Sequence, residues 1–356
     1  MHITIEKSIL ENILIHASAF LEKKDTSSIT SHVYLHVSNN TLTLKATDYD
    51  IGFEVSTQHI QVTEEGTTTA NGKKLLDIVK ILKNQSLTLE FVNNTLFIKQ
   101  GTSKFKLPTF TPENFPEFPE HNNLPNITIN SHQLIDALKK ITPSIDTNNP
   151  KFELNGAFID MTQNSINFVS TDTRRLAVVK IPNTQENNEL SMIIPKKAIV
   201  EIQKLFFDDL TMFYNETYLI ITSKEYKFFT KLINGKYPEY SRIIPKETSK
   251  QLLLPKKEII EALKQITTVS TDVKFIFTPQ GITFESLSDD NNEAKTELPF
   301  HTNFEEEFFI AVNSRYILDF LNNIDTNEFI IKLNNSNTPF VLEENNFITV
   351  VMPIVI

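Results

Sequence analysis

Ile5-Glu6-Lys7-Ser8-Ile9-Leu10-Glu11-Asn12-Ile13-Leu14 decides the fold, because the chain contains it three times. It is matched by Ile129-Asn130-Ser131-His132-Gln133-Leu134-Ile135-Asp136-Ala137-Leu138 and by Leu254-Pro255-Lys256-Lys257-Glu258-Ile259-Ile260-Glu261-Ala262-Leu263, at offsets of 124 and 125 residues. A second segment recurs in phase: Asn71-Gly72-Lys73-Lys74-Leu75-Leu76-Asp77-Ile78, Pro195-Lys196-Lys197-Ala198-Ile199-Val200-Glu201-Ile202 and Asn313-Ser314-Arg315-Tyr316-Ile317-Leu318-Asp319-Phe320. Self-similarity at a long fixed period is the mark of a tandem array. In each copy a capping or first-turn residue precedes apolar positions at helical spacing, so each unit carries two amphipathic helices.

Between the helices lie alternating apolar and polar runs, among them Val33–Val37, Leu42–Ala46, Leu87–Phe91, Leu96–Lys99, Ile166–Phe168, Leu219–Ile221, Phe275–Phe277 and Ile282–Phe284. Turn pairs such as Asn39-Asn40 and Asn93-Asn94 separate them, which reads as antiparallel hairpins. The fold class expected is α+β, with two helices packed on antiparallel sheet in every copy. Phe115-Pro116-Glu117-Phe118 closes the first copy and Tyr237-Pro238-Glu239-Tyr240 the second. Prolines at 112, 116, 119 and 125 forbid a continuing helix or central strand there, so the expected domains are 1–123, 124–246 and 247–356.

Composition narrows the function. At 356 residues, 40% hydrophobic and 22% charged, the chain is globular and too long for one core. No apolar run approaches the roughly 18 residues that span a bilayer, and Met1-His2-Ile3-Thr4 enters the structured pattern at once, so a soluble cytoplasmic protein without a membrane role is expected. The absence of cysteine excludes disulfides, thiolate metal sites and a thiol nucleophile, and 7 glycines leave little material for phosphate-cradling loops. Neither catalytic constellation nor metal or cofactor motif stands out, and Asp48, Asp50 and Asp172 read as exposed turn residues.

The net charge of -10 argues against a nucleic-acid partner if only totals are counted. Its distribution argues otherwise. Lys73 and Lys74, Lys196 and Lys197, and Lys256 and Lys257 all sit in a helical first turn, where each cation costs about 0.3 to 1 kcal/mol against the helix dipole. Such repetition points to an external polyanion as the compensating partner. Lys80, Lys83, Lys139, Lys140, Lys204, Lys264 and Arg315 add cations on the same helices, while the acidic runs Glu305-Glu306-Glu307 and Asp289-Asp290 lie outside them; a solvated charged face is the plain alternative for any single pair.

Thr171-Asp172-Thr173-Arg174-Arg175-Leu176-Ala177 follows the strand-like Ile166–Val169 and marks a turn at the surface. Two adjacent guanidinium forks beside apolar Leu176 and Val178 suit capture of an extended peptide; solvated arginines on a polar turn are the plain alternative. Together with Ala46-Thr47-Asp48-Tyr49-Asp50-Ile51, the terminal Val350-Val351-Met352-Pro353-Ile354-Val355-Ile356 and the threefold repeat, this stretch resembles the β subunit of bacterial DNA polymerase III, the sliding-clamp family.

That resemblance covers the whole chain. It implies three tandem DNA-clamp domains closing as a head-to-tail homodimeric ring, a non-catalytic processivity factor with paired helices lining the hole and sequence-independent contact to double-stranded DNA. The implied DNA-facing residues are Lys24, Lys73, Lys74, Lys80, Lys139, Lys140, Asn148, Lys196, Lys197, Lys204, Lys256, Lys257 and Arg315, with Glu153 at a place usually aromatic. The implied pocket receives linear motifs of the polymerase III catalytic subunit, the clamp loader, other polymerases and repair proteins. It comprises Lys151, Leu154, Thr171, Thr173, Arg174, Arg175, Leu176, Pro238, Arg242, Ile243, Asn313, Tyr316, Val350, Val351, Met352, Pro353 and Ile354. Leu154, Leu176, Ile243, Val351 and Met352 are expected to bury apolar anchors, and Arg175, Arg242 and Asn313 to hold polar atoms. Thr173-Arg174 and Lys151 depart from the residues usual there. Phe105 and Leu107, with partners near Ile266 and Val269, are the implied dimer contacts. A repeat-built peptide-binding adaptor with no DNA role is the rival reading.

Overall fold

A computed structural model describes residues 1–183, 189–206, 209–288 and 292–356. The acidic pair Asp289-Asp290 lies outside the described residues. Among the described residues six α-helices appear where the repeats place them: α1 (Lys7–Ala17), α2 (Gly72–Ile81), α3 (Ser131–Ile141), α4 (Lys196–Leu205), α5 (Lys256–Ile266) and α6 (Ser314–Leu321). Helix α1 buries Leu10, Ile13, Leu14 and Ala17, one stripe at helical spacing, and packs against α2 through it. Asn71 and Asn313 cap α2 and α6 by accepting backbone N–H bonds from Lys74 and Arg315.

Hairpins form where paired asparagines accept positive φ. Asn39 and Asn40 (φ 49° and 54°) and Asn93 and Asn94 (φ 49° and 57°) supply two consecutive left-handed residues, the geometry that matches the twist of the flanking strands.

The chain divides into two compact units that do not follow the repeat. The first comprises Met1–His132 with Val200–Leu232; the second comprises Gln133–Ile199 with Ile233–Ile356. The reason is strand pairing. In the first unit, Tyr226–Lys231 of the second repeat pairs with Ile51–Thr57 of the first, with Phe229 opposite Gly52, and joins two four-stranded halves into one eight-stranded sheet. In the second unit, Arg175–Pro182 of the second repeat pairs with Phe347–Val351 of the third, Leu176 opposite Val350, to make another eight-stranded sheet. The terminal strand is therefore central, not an edge strand. A five-stranded sheet completes the first unit, ending on the free edge Ser103–Pro108, and a four-stranded sheet completes the second, with Lys295–Pro299 at one edge.

Phenylalanine fills both cores in a chain without tryptophan. Phe20, Phe53 and Phe228 meet in the first unit, with Phe20 and Phe53 stacked at 5.2 Å; Phe275 and Phe284 meet edge-on at 4.8 Å in the second. Truncating one such buried ring costs about 3–5 kcal/mol.

Candidate peptide groove and cationic helix faces

The turn after Ser165–Thr171 is held by its own side chains. Thr171 Oγ1 donates to the Arg175 carbonyl at 2.6 Å and accepts from the Thr173 amide at 3.1 Å. Asp172 Oδ1 accepts from the amides of Arg174 and Arg175 at 3.0 and 2.9 Å. Thr173 is thereby held at φ 71°, and the turn projects Arg174 into solvent. The Met352 amide donates to the Arg174 carbonyl at 2.9 Å and the Ile354 amide to the Ala311 carbonyl at 2.7 Å, so the terminal segment is tied down beside the turn.

Below the turn, Leu154, Leu176, Val178, Tyr237, Val341 and Val350 form one buried apolar cluster, with Phe158, Tyr240, Ile244 and Ile348 partly buried against it. Met352 and Ile243, 40% and 42% exposed, stand at its margin. Phe158 stacks on Tyr237 at 4.8 Å, and the Tyr240 hydroxyl donates to Asp160 at 2.8 Å. Burial pushes the Tyr237 phenol up, which keeps it neutral within this floor. The outcome is a buried apolar patch, while Lys151, Thr173, Arg174 and Arg242 are exposed and Pro238, Pro353 and Ile354 half-buried.

Three expected pocket residues do something else. Arg175 is 8% exposed and its fork is occupied: Nε donates to Asp172 at 3.0 Å, Nη1 to Asp319 at 2.6 Å and Nη2 to the Pro143 carbonyl, and the guanidinium lies 4.6 Å from the Tyr316 ring centre. It bolts the second repeat to α6 of the third, with one donor on each of its three nitrogens committed inside the protein. Val351 is fully buried opposite Arg175. Successive strand residues face opposite sides, so Leu176 and Val350 join the apolar cluster while Arg175 and Val351 face away from it. Asn313 uses both ends of its amide, accepting from Arg315 and donating to Asp272, each at 3.1 Å. Val178, read from the sequence beside Leu176, lies in the cluster; sequence reasoning missed Ile348, two residues along from Val350, which strand alternation could have found. It also missed Phe158, Tyr237 and Val341, which only tertiary packing brings there.

The helix cations also sort into two groups. Lys24, Lys73, Lys74, Lys80, Lys139, Lys197, Lys257 and Arg315 are exposed, as is Asn148 on its loop at φ 64°. Lys204, also exposed, bridges to Glu201 at 2.8 Å. Lys140 is buried, bonded to Asp136 at 2.9 Å with its ammonium 6.0 Å from the Phe347 ring centre, so it presents no charge to a ligand. Lys196 Nζ donates to the Ile145 carbonyl and Lys256 Nζ to the Ile324 carbonyl, each at 2.6 Å. Burial first, and the Arg175 charge as a lesser cause, lower the pKa of Lys196. The compensating partner of these two first-turn lysines is thus internal. Nor do the three lysine pairs occupy equivalent places: Lys256 opens the first helix of its repeat, whereas Lys196 opens the second of its own.

The sequence matches three family models in order: the N-terminal domain of the DNA polymerase III beta subunit over residues 1–119, the central domain over 128–239 and the C-terminal domain over 241–355. The chain belongs to the DNA polymerase III beta subunit family. It is 39% identical to a beta sliding clamp of Helicobacter pylori, over 97% of this chain and 94% of the relative, and 26% identical to one of Pseudomonas putida, over 97% and 96%. A solved Helicobacter pylori beta clamp bound to a DNA ligase peptide superposes with a TM-score of 0.95 at 37% identity, covering all of both chains. A beta clamp is a processivity factor and not a catalyst, and this chain is built of three tandem clamp domains. Among the described residues no His, Asp and Glu cluster is disposed to hold a metal, and no helix is long and apolar enough to cross a membrane.

The clamp's expected dimer contacts are placed unevenly. Phe105 and Leu107 lie on the free edge strand Ser103–Pro108, Phe105 half-buried and Leu107 buried. Ile266 ends α5 inside the core, so it is unavailable to a partner; Val269 is partly exposed.

Proposed function

We propose that two copies of this chain close head to tail into a ring around duplex DNA and that the trough at Thr171–Leu176 receives linear motifs of the polymerase III catalytic subunit, the clamp loader and other polymerases and repair proteins in the cytoplasm. Each copy contributes three domains, 1–123, 124–246 and 247–356. What carries the peptide reading is the buried Leu154, Leu176, Val178 and Val350 cluster left with exposed Met352 and Ile243 at its margin. An apolar trough with an adaptable methionine suits alternate side chains of an extended segment. The solved relative bound to a DNA ligase peptide supports the same assignment.

Two free edges support closure. Ser103–Pro108 and Lys295–Pro299 each have a strand neighbour on one side alone, so an edge of one copy can extend the sheet of the other. The DNA-facing set reduces to the exposed Lys24, Lys73, Lys74, Lys80, Lys139, Asn148, Lys197, Lys204, Lys257 and Arg315. These are salt-screened contacts blind to sequence, so the duplex is held loosely and retention is topological.

The test is retention on nicked circular DNA at raised salt, before and after the circle is cut. Loss on cutting supports the ring, and equal retention on both sinks it. Met352→Ala together with Leu176→Ala is expected to abolish capture of a fluorescein-labelled polymerase motif while leaving the dimer mass unchanged.

A further inference from the structure

The first unit contains a cleft of about 870 Å3 built from the same parts as the trough in the second. The Thr47–Ile51 turn stands where Thr171–Arg175 stands, and Phe115-Pro116-Glu117-Phe118 where Tyr237-Pro238-Glu239-Tyr240 does. Strand Tyr226–Lys231 pairs with Ile51–Thr57 as Phe347–Val351 pairs with Arg175–Pro182. Tyr34 packs on Phe115 at 5.3 Å, as Phe158 packs on Tyr237.

The floor differs. Phe229 lies across Gly52, where an added Cβ would fall 2.0 Å from the ring, and Phe118 and Tyr218 meet Phe229 edge-on at 4.9 and 6.0 Å. Lys45, Lys227 and Lys231 rise from this aromatic floor. Lys45 and Lys231 reach Glu54 and Asp50, whereas Lys227 makes no ion pair among the described residues. At the mouth Tyr49 is 53% exposed and held at φ 75°, a conformation a bulky side chain adopts only when its surroundings impose it.

The geometry points to a second peptide-docking groove, in the first unit, for a linear segment bearing an aromatic anchor and one or two carboxylates. The aromatic floor and the Tyr49 lip take the anchor, and Lys227, which makes no ion pair among the described residues, takes a carboxylate, with Lys45 and Lys231 beside it already meeting Glu54 and Asp50. Glu117 and Glu120 on the same lining limit the negative charge the groove accepts, which disfavours a continuous run of phosphates more than one isolated carboxylate. The inference rests on the peptide reading of the second unit only for the class of ligand.

All 8 tyrosines can report on it when the full-length clamp is labelled with 3-fluorotyrosine and assigned by single Tyr→Phe replacements. Tyr34, Tyr49 and Tyr218 line this cleft, while Tyr237, Tyr240 and Tyr316 belong to the other unit's site. Titration with a capped EYDFF pentapeptide is expected to shift the fluorine signals of Tyr34, Tyr49 and Tyr218 saturably. Lys227→Glu should weaken that response roughly tenfold, and Tyr49→Ala should also weaken it, whereas Met352→Ala leaves it intact. Movement of Tyr237, Tyr240 and Tyr316 alone overturns this proposal and leaves the peptide reading of the second unit standing; movement of the first set alone does the reverse. Silence from the first set, or a response there to oligothymidylate and not to the peptide, also overturns it.

Discussion

Thr47–Ile51 and Thr171–Arg175 are two copies of one turn, and they end in different chemistry. In both, a buried threonine hydroxyl donates to the carbonyl four residues on, at 2.7 Å in the first and 2.6 Å in the second, and an aspartate gathers two backbone amides. Both hold a non-glycine residue at positive φ, Tyr49 and Thr173. Beyond the turn they part. The first continues into Ile51, fully apolar, over a floor of Phe229 on Gly52; the second continues into Arg175, locked between two aspartates, over a floor of Leu176 and Val350. Local hydrogen bonds thus specify the bend, while the strand that pairs beyond it decides what surface the bend borders.

The largest expected effect separates the two copies at their last residue. Arg175→Ala leaves Asp172 and Asp319 without their buried counter-charge and is expected to destabilise the second unit by about 3–5 kcal/mol, read from the urea midpoint. Arg175→Lys should recover little of it, since one ammonium cannot serve Asp172, Asp319 and the Pro143 carbonyl together. A loss under 1 kcal/mol would mean the bolt holds nothing.

The shared part is tested next. Thr47→Val and Thr171→Val each strand a carbonyl and an amide and should cost about 1–3 kcal/mol, by similar amounts if the two turns are one device. A large inequality would show that only one turn is held by its threonine.

Acid then distinguishes the units. His32, in the first unit, is buried against Phe110 and Thr69, and desolvation, helped by Lys74, lowers its pKa to about 4; burial also lowers that of His16. Gly156 occupies the place of His32 one repeat later. The unfolded chain binds the proton near the ordinary histidine value and the folded chain does not, so this stability is full above about pH 6.5 and is lost as pH falls toward 4. Hydrogen exchange at pH 5 should open the first unit before the second, and His32→Asn should remove much of that difference.

The smallest effect concerns backbone strain. Tyr49→Gly and Thr173→Gly each relieve a positive φ and are expected to change stability by within about 1 kcal/mol, Tyr49→Gly the more favourably. Equal values at both sites would show that the tyrosine ring is not held against its preference.

The six helices, the asparagine hairpins and the Thr171 turn were legible because each rests on neighbours a few residues apart. The trough was half legible. Leu154, Leu176 and Val350 meet in one cluster, yet Arg175 and Val351 were assigned to the same face as their neighbours, which strand alternation forbids. Lys196 and Lys256 looked like cations awaiting a polyanion until carbonyls 51 and 68 residues away proved to be their partners. Val178 was read beside Leu176 and Ile348 was within reach of the pattern; Tyr237 and Val341 were not.

The amino-acid order alone determined that one unit is used three times and that every copy has two helices and hairpin-linked strands, because period, capping and turn chemistry are short-range properties. Tertiary structure alone decided that the two compact units cut across the repeats, that Arg175 and Val351 turn inward and that a second cleft opens beside Tyr49. Those outcomes depend on which distant strand completes each sheet, and pairing between Tyr226–Lys231 and Ile51–Thr57, or between Phe347–Val351 and Arg175–Pro182, is settled by packing across more than a hundred residues of chain.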